Sequence, residues 1–296
     1  MSAADPNQLD FPPVRNGVDY LVSVVDHLTA DPIDPRHIKY AVLHLQAATE
    51  VLLKARLVRE HWSLVFEDPG AASERAFRSA DFKSCTVGEA VTRLRNIVGI
   101  TITDKEQEAL DALARDRNAL QHYGLSHNAR AVEARAGRVL DLLVRFLDDE
   151  LLPGLELDEA NAIGADMIHV RDGLTGVQTF VTQRLRRLRG ELQGHEDRTV
   201  HCPHCEQLTL IAEGATNRCL FCGATVTTPE MMIYVYLGSP DDEGGVIDIC
   251  PRCAQHTVML DTFLATGDRV PFCFNCPGPI PTAADEPPAD TPRGRP

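Results

Sequence analysis

The chain has 296 residues, 44% of them hydrophobic and 24% charged, with a net charge of −14 and a pI near 5.2. That length accommodates two or three domains with a sizeable core, and the composition is ordinary for a globular protein. The charge argues against broad, non-specific nucleic-acid binding, which depends on neutralising phosphates with Lys and Arg.

The acidity is spread along the chain. Residues 1–196 carry 23 Lys/Arg against 30 Asp/Glu, and residues 197–296 carry 6 against 13. Any nucleic-acid partner must therefore meet a focused site. Met1 to Phe11 lacks the basic-then-apolar order of a secretion signal, and there is no run of about 20 apolar residues to span a bilayer. A cytoplasmic protein with no membrane association is expected.

Residues 1–13, with Pro6, Pro12 and Pro13, read as an extended lead-in. From Asn16 to Ala30 the periodicity places Val18, Leu21, Val22, Val25 and Leu28 on one helical face. Asp34-Pro35 is an N-cap followed by Pro at the first helical position, and opens a long helix to about His61. Its buried side carries Ile38, Val42, Leu45, Thr49, Leu52 and Leu53, while Glu50 and Lys54 stand as an i,i+4 pair. Phe66 to Ser84 reads as a loop with one short helix. Thr86 to Val98 and Thr103 to about His122 are helices, each opened by a Thr-x-x-Glu capping box. Asn128 caps a further helix to about Leu152, ended by Pro153-Gly154, and His127 reads as a loop residue. One more helical stretch lies in 158–193, most regular from Thr175 to Leu192. It carries a cluster of Arg184, Arg186, Arg187 and Arg189, read as a solvated face or a phosphate-contacting strip.

After His195 the texture changes. Leu208–Ile211, Met232–Leu237 and Val246–Ile249 are short β-prone runs separated by Gly, Pro and Cys. From about residue 277 the chain is rich in Pro, Ala and Asp, as in a disordered tail.

Eight of the nine cysteines form two quartets. The first is Cys202, Cys205, Cys219 and Cys222; the second is Cys250, Cys253, Cys273 and Cys276. A CxxC turn directs two thiolates at one metal, and two such turns complete the tetrahedral four-sulfur set that zinc prefers. Both quartets resemble zinc ribbons, so two structural Zn2+ ions are expected. Iron in a rubredoxin-like site fits the same spacing, and a cross-braced pairing of first with third knuckle is an alternative to sequential pairing. Disulfides do not suit a reducing compartment. Four ligands leave no open coordination position, so neither site is expected to catalyse. His201, His204 and His256 stand near quartets that are already complete and read as surface residues. Phe221, Phe272 and Phe274 serve either a mini-core or base stacking. Cys85 reads as a small hydrophobe.

The helical region contains Arg117-Asn118-Ala119-Leu120-Gln121-His122, followed by Tyr123-Gly124. An Arg, a polar residue directly after it, and a His five positions on at a helix end resemble the HEPN family, as does the helix segment 41–57 with Glu50 and Lys54. The resemblance covers about residues 14–152. It implies a four- to five-helix bundle that forms a homodimer, and in many members a metal-independent endoribonuclease at the dimer cleft. The chemistry fits: His122 as a base of near-neutral pKa for the 2′-hydroxyl, Arg117 as a fixed cation for the phosphate, and Asn118 to orient either. On an ideal helix, residues five apart lie about 140° apart. Arg117 and His122 thus converge only if the helix loosens near Gly124 or a two-fold axis brings two copies together. A surface pairing of Arg117 with Asp116 or Asp111 is the structural alternative. One toxin subgroup has Tyr two residues after the His; here Tyr123 follows at once.

The fold expected is a mainly α N-terminal bundle plus a small β-rich zinc-ribbon module. Its parts are a HEPN-like bundle at 14–152, a connecting helix at 153–196, ribbons at 197–238 and 245–280, and a tail at 281–296. The function expected is RNA cleavage, with the ribbons recognising RNA or a protein partner. The alternative is a non-catalytic binding regulator.

Overall fold

The computed structural model describes residues 10–124, 128–237 and 247–280. The tail 281–296, His127 and Val246 lie outside the described residues. The chain divides into two compact units, 1–184 and 185–296, a mainly helical one and a β-rich, zinc-ribbon-like one.

The helical unit begins with α1 (Pro13–Leu28) and α2 (Pro35–Glu60). Helix α1 starts three residues earlier than its apolar periodicity suggests, because Pro13 is tolerated in the first turn. The Asp34 carboxylate accepts the backbone N–H groups of Arg36 at 2.7 Å and His37 at 3.0 Å, which satisfies donors the helix start leaves open. The buried stripe of α2 is the predicted one, from Ile38 to Leu53, with the Thr49 hydroxyl donating to the Leu45 carbonyl at 2.8 Å. Lys54 pairs with Glu50, as the spacing indicates, and also donates to the Ser84 hydroxyl at 2.8 Å.

Two glycines set the packing of α1. A Cβ on Gly17 would lie 2.4 Å from Leu52 Cδ2, and one on Gly173 would lie 2.2 Å from Val25 Cγ1. Both positions therefore let a neighbouring helix approach where a side chain would collide. Gly173 belongs to α7 (Leu157–Thr175), which also packs against α1. This corrects the expectation of a single connecting helix: residues 157–192 form two helices, α7 and α8 (Gln178–Leu192), separated at Gly176-Val177. The division between units falls within α8.

Between them stand α3 (Glu74–Ser79), α4 (Val87–Arg93), α5 (Asp104–His122) and α6 (Ala129–Phe146). Both predicted Thr-x-x-Glu capping boxes form, at Thr86/Glu89 and Thr103/Glu106. Arg184, placed in a basic cluster by sequence, is instead buried against Asp141 at 3.3 Å. Arg186 and Arg189 are exposed, and Arg187 pairs with Glu191. Helix spacing explains the separation, since Arg184 falls on the apolar face with Val181 and Leu188.

The β-rich unit contains two four-stranded antiparallel sheets. The first has β1 (Thr199–His201), β2 (Leu208–Ala212), β3 (Thr216–Cys219) and β4 (Thr225–Thr227) in sequence order. The second has β5 (Ile247–Ile249), β6 (His256–Phe263), β7 (Arg269–Cys273) and β8 (Gly278–Pro279) in the same order. Strand β8 shows that regular structure continues past residue 277, where the composition suggests a tail. Between the sheets lies α9 (Thr228–Leu237), so the β-prone run Met232–Leu237 is helical. A third Thr-x-x-Glu pair overrides propensity there: Glu230 accepts the Thr227 N–H at 2.7 Å and its hydroxyl at 2.8 Å. Among the described residues no helix is long and apolar enough to cross a membrane.

Glu106 anchors α5 twice, through the cap and through Arg145 of α6 at 2.6 Å. Burial pushes its carboxyl up, but the Thr103 amide and hydroxyl and the Arg145 guanidinium outweigh burial and hold it below the usual carboxylate range. A depressed carboxylate stabilises the fold above its unfolded pKa and loses that contribution as pH falls through the folded value. Glu106→Gln should cost about 1–2 kcal/mol in urea denaturation at pH 7. The deficit relative to wild type should shrink steadily as pH drops below about 4.3.

Candidate functional site

Each cysteine quartet is built by two hairpin ends. In the first, the knuckle after β1 supplies Cys202 and Cys205, and the turn from β3 to β4 supplies Cys219 and Cys222. In the second, Cys250 and Cys253 follow β5, Cys273 ends β7, and Cys276 lies between β7 and β8. Within each group all four sulfurs lie within 4.8 Å of one another. The pairing is therefore sequential and not cross-braced.

The geometry suits a bound ion. Sulfur separations are 3.7 Å for Cys202–Cys222 and Cys205–Cys219, 3.4 Å for Cys250–Cys276 and 3.8 Å for Cys253–Cys273. A tetrahedral ion with metal–sulfur bonds of about 2.3 Å needs sulfurs about 3.8 Å apart. Without a cation, four thiols this close cannot all ionise. Contacts from Cys202, Cys205 and Cys222 push the Cys219 thiol far down, while the contact with Cys202 drives Cys205 and Cys222 up. In the second group the Asn275 side chain lowers Cys253 to about 6, and burial raises Cys276 to about 12. A divalent ion resolves this conflict by stabilising every thiolate. All eight cysteines are positioned to bind metal ions, two groups of four with no further ligand required.

The first knuckles of the two groups share a sequence pattern and its local geometry. Cys202-Pro-His-Cys205-Glu-Gln207-Leu-Thr209 and Cys250-Pro-Arg-Cys253-Ala-Gln255-His-Thr257 share the pattern Cys-Pro-x-Cys-x-Gln-x-Thr. In both, the Gln carbonyl accepts two backbone N–H groups, from Cys202 and Thr209 at 2.9 Å each, and from Cys250 and Thr257 at 2.8 and 3.0 Å. In both, the residue after the second cysteine is left-handed: Glu206 at φ 59° and Ala254 at φ 56°. In both, the Thr hydroxyl lies 3.3 Å from a sulfur of the far knuckle, Thr209 to Cys219 and Thr257 to Cys273. Sequence reasoning found the cysteines and missed Gln207, Gln255, Thr209 and Thr257. Aligning the two quartets on their first cysteine reveals them. Phe221, Phe272 and Phe274 are buried and form mini-cores, and His201, His204 and His256 are exposed.

Elsewhere, Arg117, Asn118 and His122 all lie on α5, which stays helical to His122. The Tyr123 N–H donates to the Ala119 carbonyl, and Gly124 at φ 83° lies beyond the helix end. The helix does not loosen within Arg117–His122, so one chain holds these two residues on different faces. Asn118 and His122 are exposed, and Arg117 is half-buried with its guanidinium donating to Asn118 Oδ1 at 2.9 Å. The alternative pairing with acids is not made. Asp116 is gripped by Arg135 at 2.6 and 3.0 Å, and Asp111 accepts from Gln107 at 2.9 Å. The chain matches no family model, no curated protein and no solved structure.

Hydroxyl donors to a metal-bound thiolate tune affinity by about 10–100-fold. Thr209→Val should weaken retention at the first site by about tenfold, and Thr257→Val at the second, by competition with a chromophoric chelator. Unchanged affinity in both variants would show that these hydroxyls do not support the ligands.

Proposed function

We propose that the helical unit is a metal-independent endoribonuclease of the HEPN type, acting as a homodimer, and that each ribbon holds one structural zinc ion in a cytoplasmic protein. The observation that carries the ribonuclease reading is the charge state around Arg117. Asp116, its neighbour, is engaged by Arg135, and among the described residues Arg117 has the neutral Asn118 as its hydrogen-bond partner. A guanidinium without a carboxylate partner is suited to an anionic phosphate. One turn further, the exposed His122 stands at the helix end as the group that takes the 2′-hydroxyl proton. Asn118 orients the guanidinium between phosphate oxygens.

Because one chain keeps Arg117 and His122 apart, the cleft needs a two-fold axis that sets Arg117 of one protomer beside His122 of its partner. Zinc is the ion that best suits four thiolates without redox chemistry. It closes each site, so the ribbons contribute folding and recognition of RNA or protein, and the chemistry belongs to α5. The same separation of Arg117 and His122 favours one second reading, a helical unit that binds RNA without cutting it.

Purified protein incubated with RNA in EDTA should cleave, and Arg117→Ala and His122→Ala should each lose at least about 100-fold in rate. Equal rates for all three proteins would eliminate the ribonuclease. Binding without cleavage by wild type would support the second reading.

A further inference from the structure

The two quartets sit on ribbons that touch at both ends of the β6–β7 hairpin. At its turn, the Ala265 N–H donates to the Thr199 carbonyl of β1 at 2.9 Å, on the strand that leads into Cys202. Beside it the His201 ring lies 5.8 Å from that of Phe263. At its other end the hairpin runs into the knuckle Cys273-Phe274-Asn275-Cys276, and this knuckle rests on the β2–β3 turn of the first ribbon.

Gly214 shows how close that second contact is. It is buried between the exposed Glu213 and Ala215, and its φ is 106°. A Cβ there would meet the Asn275 carbonyl oxygen at 3.3 Å and Pro277 Cδ at 3.9 Å. Thr228, only 3% exposed, closes the junction. Its hydroxyl donates to the Gly214 carbonyl at 2.7 Å and lies 3.3 Å from the Phe274 carbonyl, while its N–H donates to the Ala215 carbonyl at 3.1 Å. One buried hydroxyl thus joins a turn of the first ribbon to the main chain between two cysteines of the second.

Each side of the junction leads directly to sulfurs. In the second ribbon the Phe274 N–H donates to the Thr257 carbonyl at 3.0 Å, so the knuckle is tied to its own sheet by the amide and to the first ribbon by the carbonyl. In the first ribbon the β2–β3 turn opens the strand that ends on Cys219. The buried Asn217 holds turn and strand together, accepting the Glu213 N–H at 3.3 Å and donating to the Val226 carbonyl at 3.1 Å.

We propose that the two quartets form one cooperative metal-binding unit, in which filling either site raises the affinity of the other through the contact of Thr228 and Gly214 with the knuckle 273–276. The inference rests on each quartet holding an ion. A knuckle that metal binding orders loosens when the ion leaves, and loosening withdraws the Phe274 and Asn275 carbonyls from the first ribbon. Binding at one site therefore orders scaffold that the other also needs, and the second ion meets a smaller ordering cost. The coupling is reciprocal, so each site strengthens the other by the same factor.

The test titrates the full-length protein with cadmium-113 against a competing chelator and reads each site from its own NMR resonance, assigned with single-site variants. C273S/C276S, which disables the second site, should weaken binding at the first by about tenfold, and C219S/C222S should weaken the second by the same factor. Thr228→Val keeps all eight cysteines and should still take two ions per chain, which shows that both ribbons form. In that background the same disabling substitutions should weaken the remaining site by only about twofold. Unchanged affinity at one site when the other is disabled, or a loss as large with Thr228→Val as without it, would overturn the proposal. Two ions that bind without influencing each other remove the coupling and leave the metal-binding reading standing. Fewer than two ions on the wild-type chain remove both.

Discussion

Four thiolates confined within one small volume repel one another, and that repulsion governs the C-terminal unit. The sulfurs of each quartet lie within 4.8 Å, close enough that a neutral protein cannot keep all of them ionised. Apolar residues such as Leu210, Phe221, Val226, Phe272 and Phe274 are buried around the quartets. The buried cluster of the second consists of Cys250, Val258 and Cys273, with Cys253, Cys276 and Ile280 packed against it. Where ligands form the buried cluster, metal binding and folding are coupled. Every other feature of the ribbon follows from delivering sulfurs to a point: two knuckles, hairpins to carry them, and left-handed residues at Glu206 and Ala254 where the chain turns back.

The repetition of that solution within one chain is informative about which residues matter. Between the two ribbons most side chains differ, yet the backbone carbonyl of Gln207 or Gln255 closes each knuckle, and the Thr hydroxyl that reaches the far sulfur recurs at the same position from the first cysteine. Both act on the ligands rather than on the ion. The ribbons are joined to each other at the start of α9, where the buried Thr228 hydroxyl donates to the Gly214 carbonyl at 2.7 Å and approaches the Phe274 carbonyl at 3.3 Å. A single side chain thus links both sheets.

In the helical unit the equivalent organising constraint is electrostatic. The carboxylates of Glu106 and Asp116 are claimed by Arg145 and Arg135 of α6, which fixes α5 along its length. The consequence for chemistry is indirect. Among the described residues Arg117, the residue after Asp116, makes its side-chain hydrogen bond to Asn118 and not to a carboxylate.

The sequence by itself determined α2, α4 and α5, since a capping Asp or Thr-x-x-Glu box before an apolar stripe is a local signal that needs no tertiary partner. It also determined the two metal-binding quartets, because CxxC geometry is set by a four-residue turn. Tertiary structure alone decided the rest. Packing placed α7 against α1, where Gly173 removes the side chain that would strike Val25. Helix α9 is an exception, because the Thr227/Glu230 cap that sets it against a β-prone composition is itself a local signal. Competition among side chains gave Asp116 to Arg135 and buried Arg184 against Asp141, outcomes that depend on residues 19 and 43 positions apart.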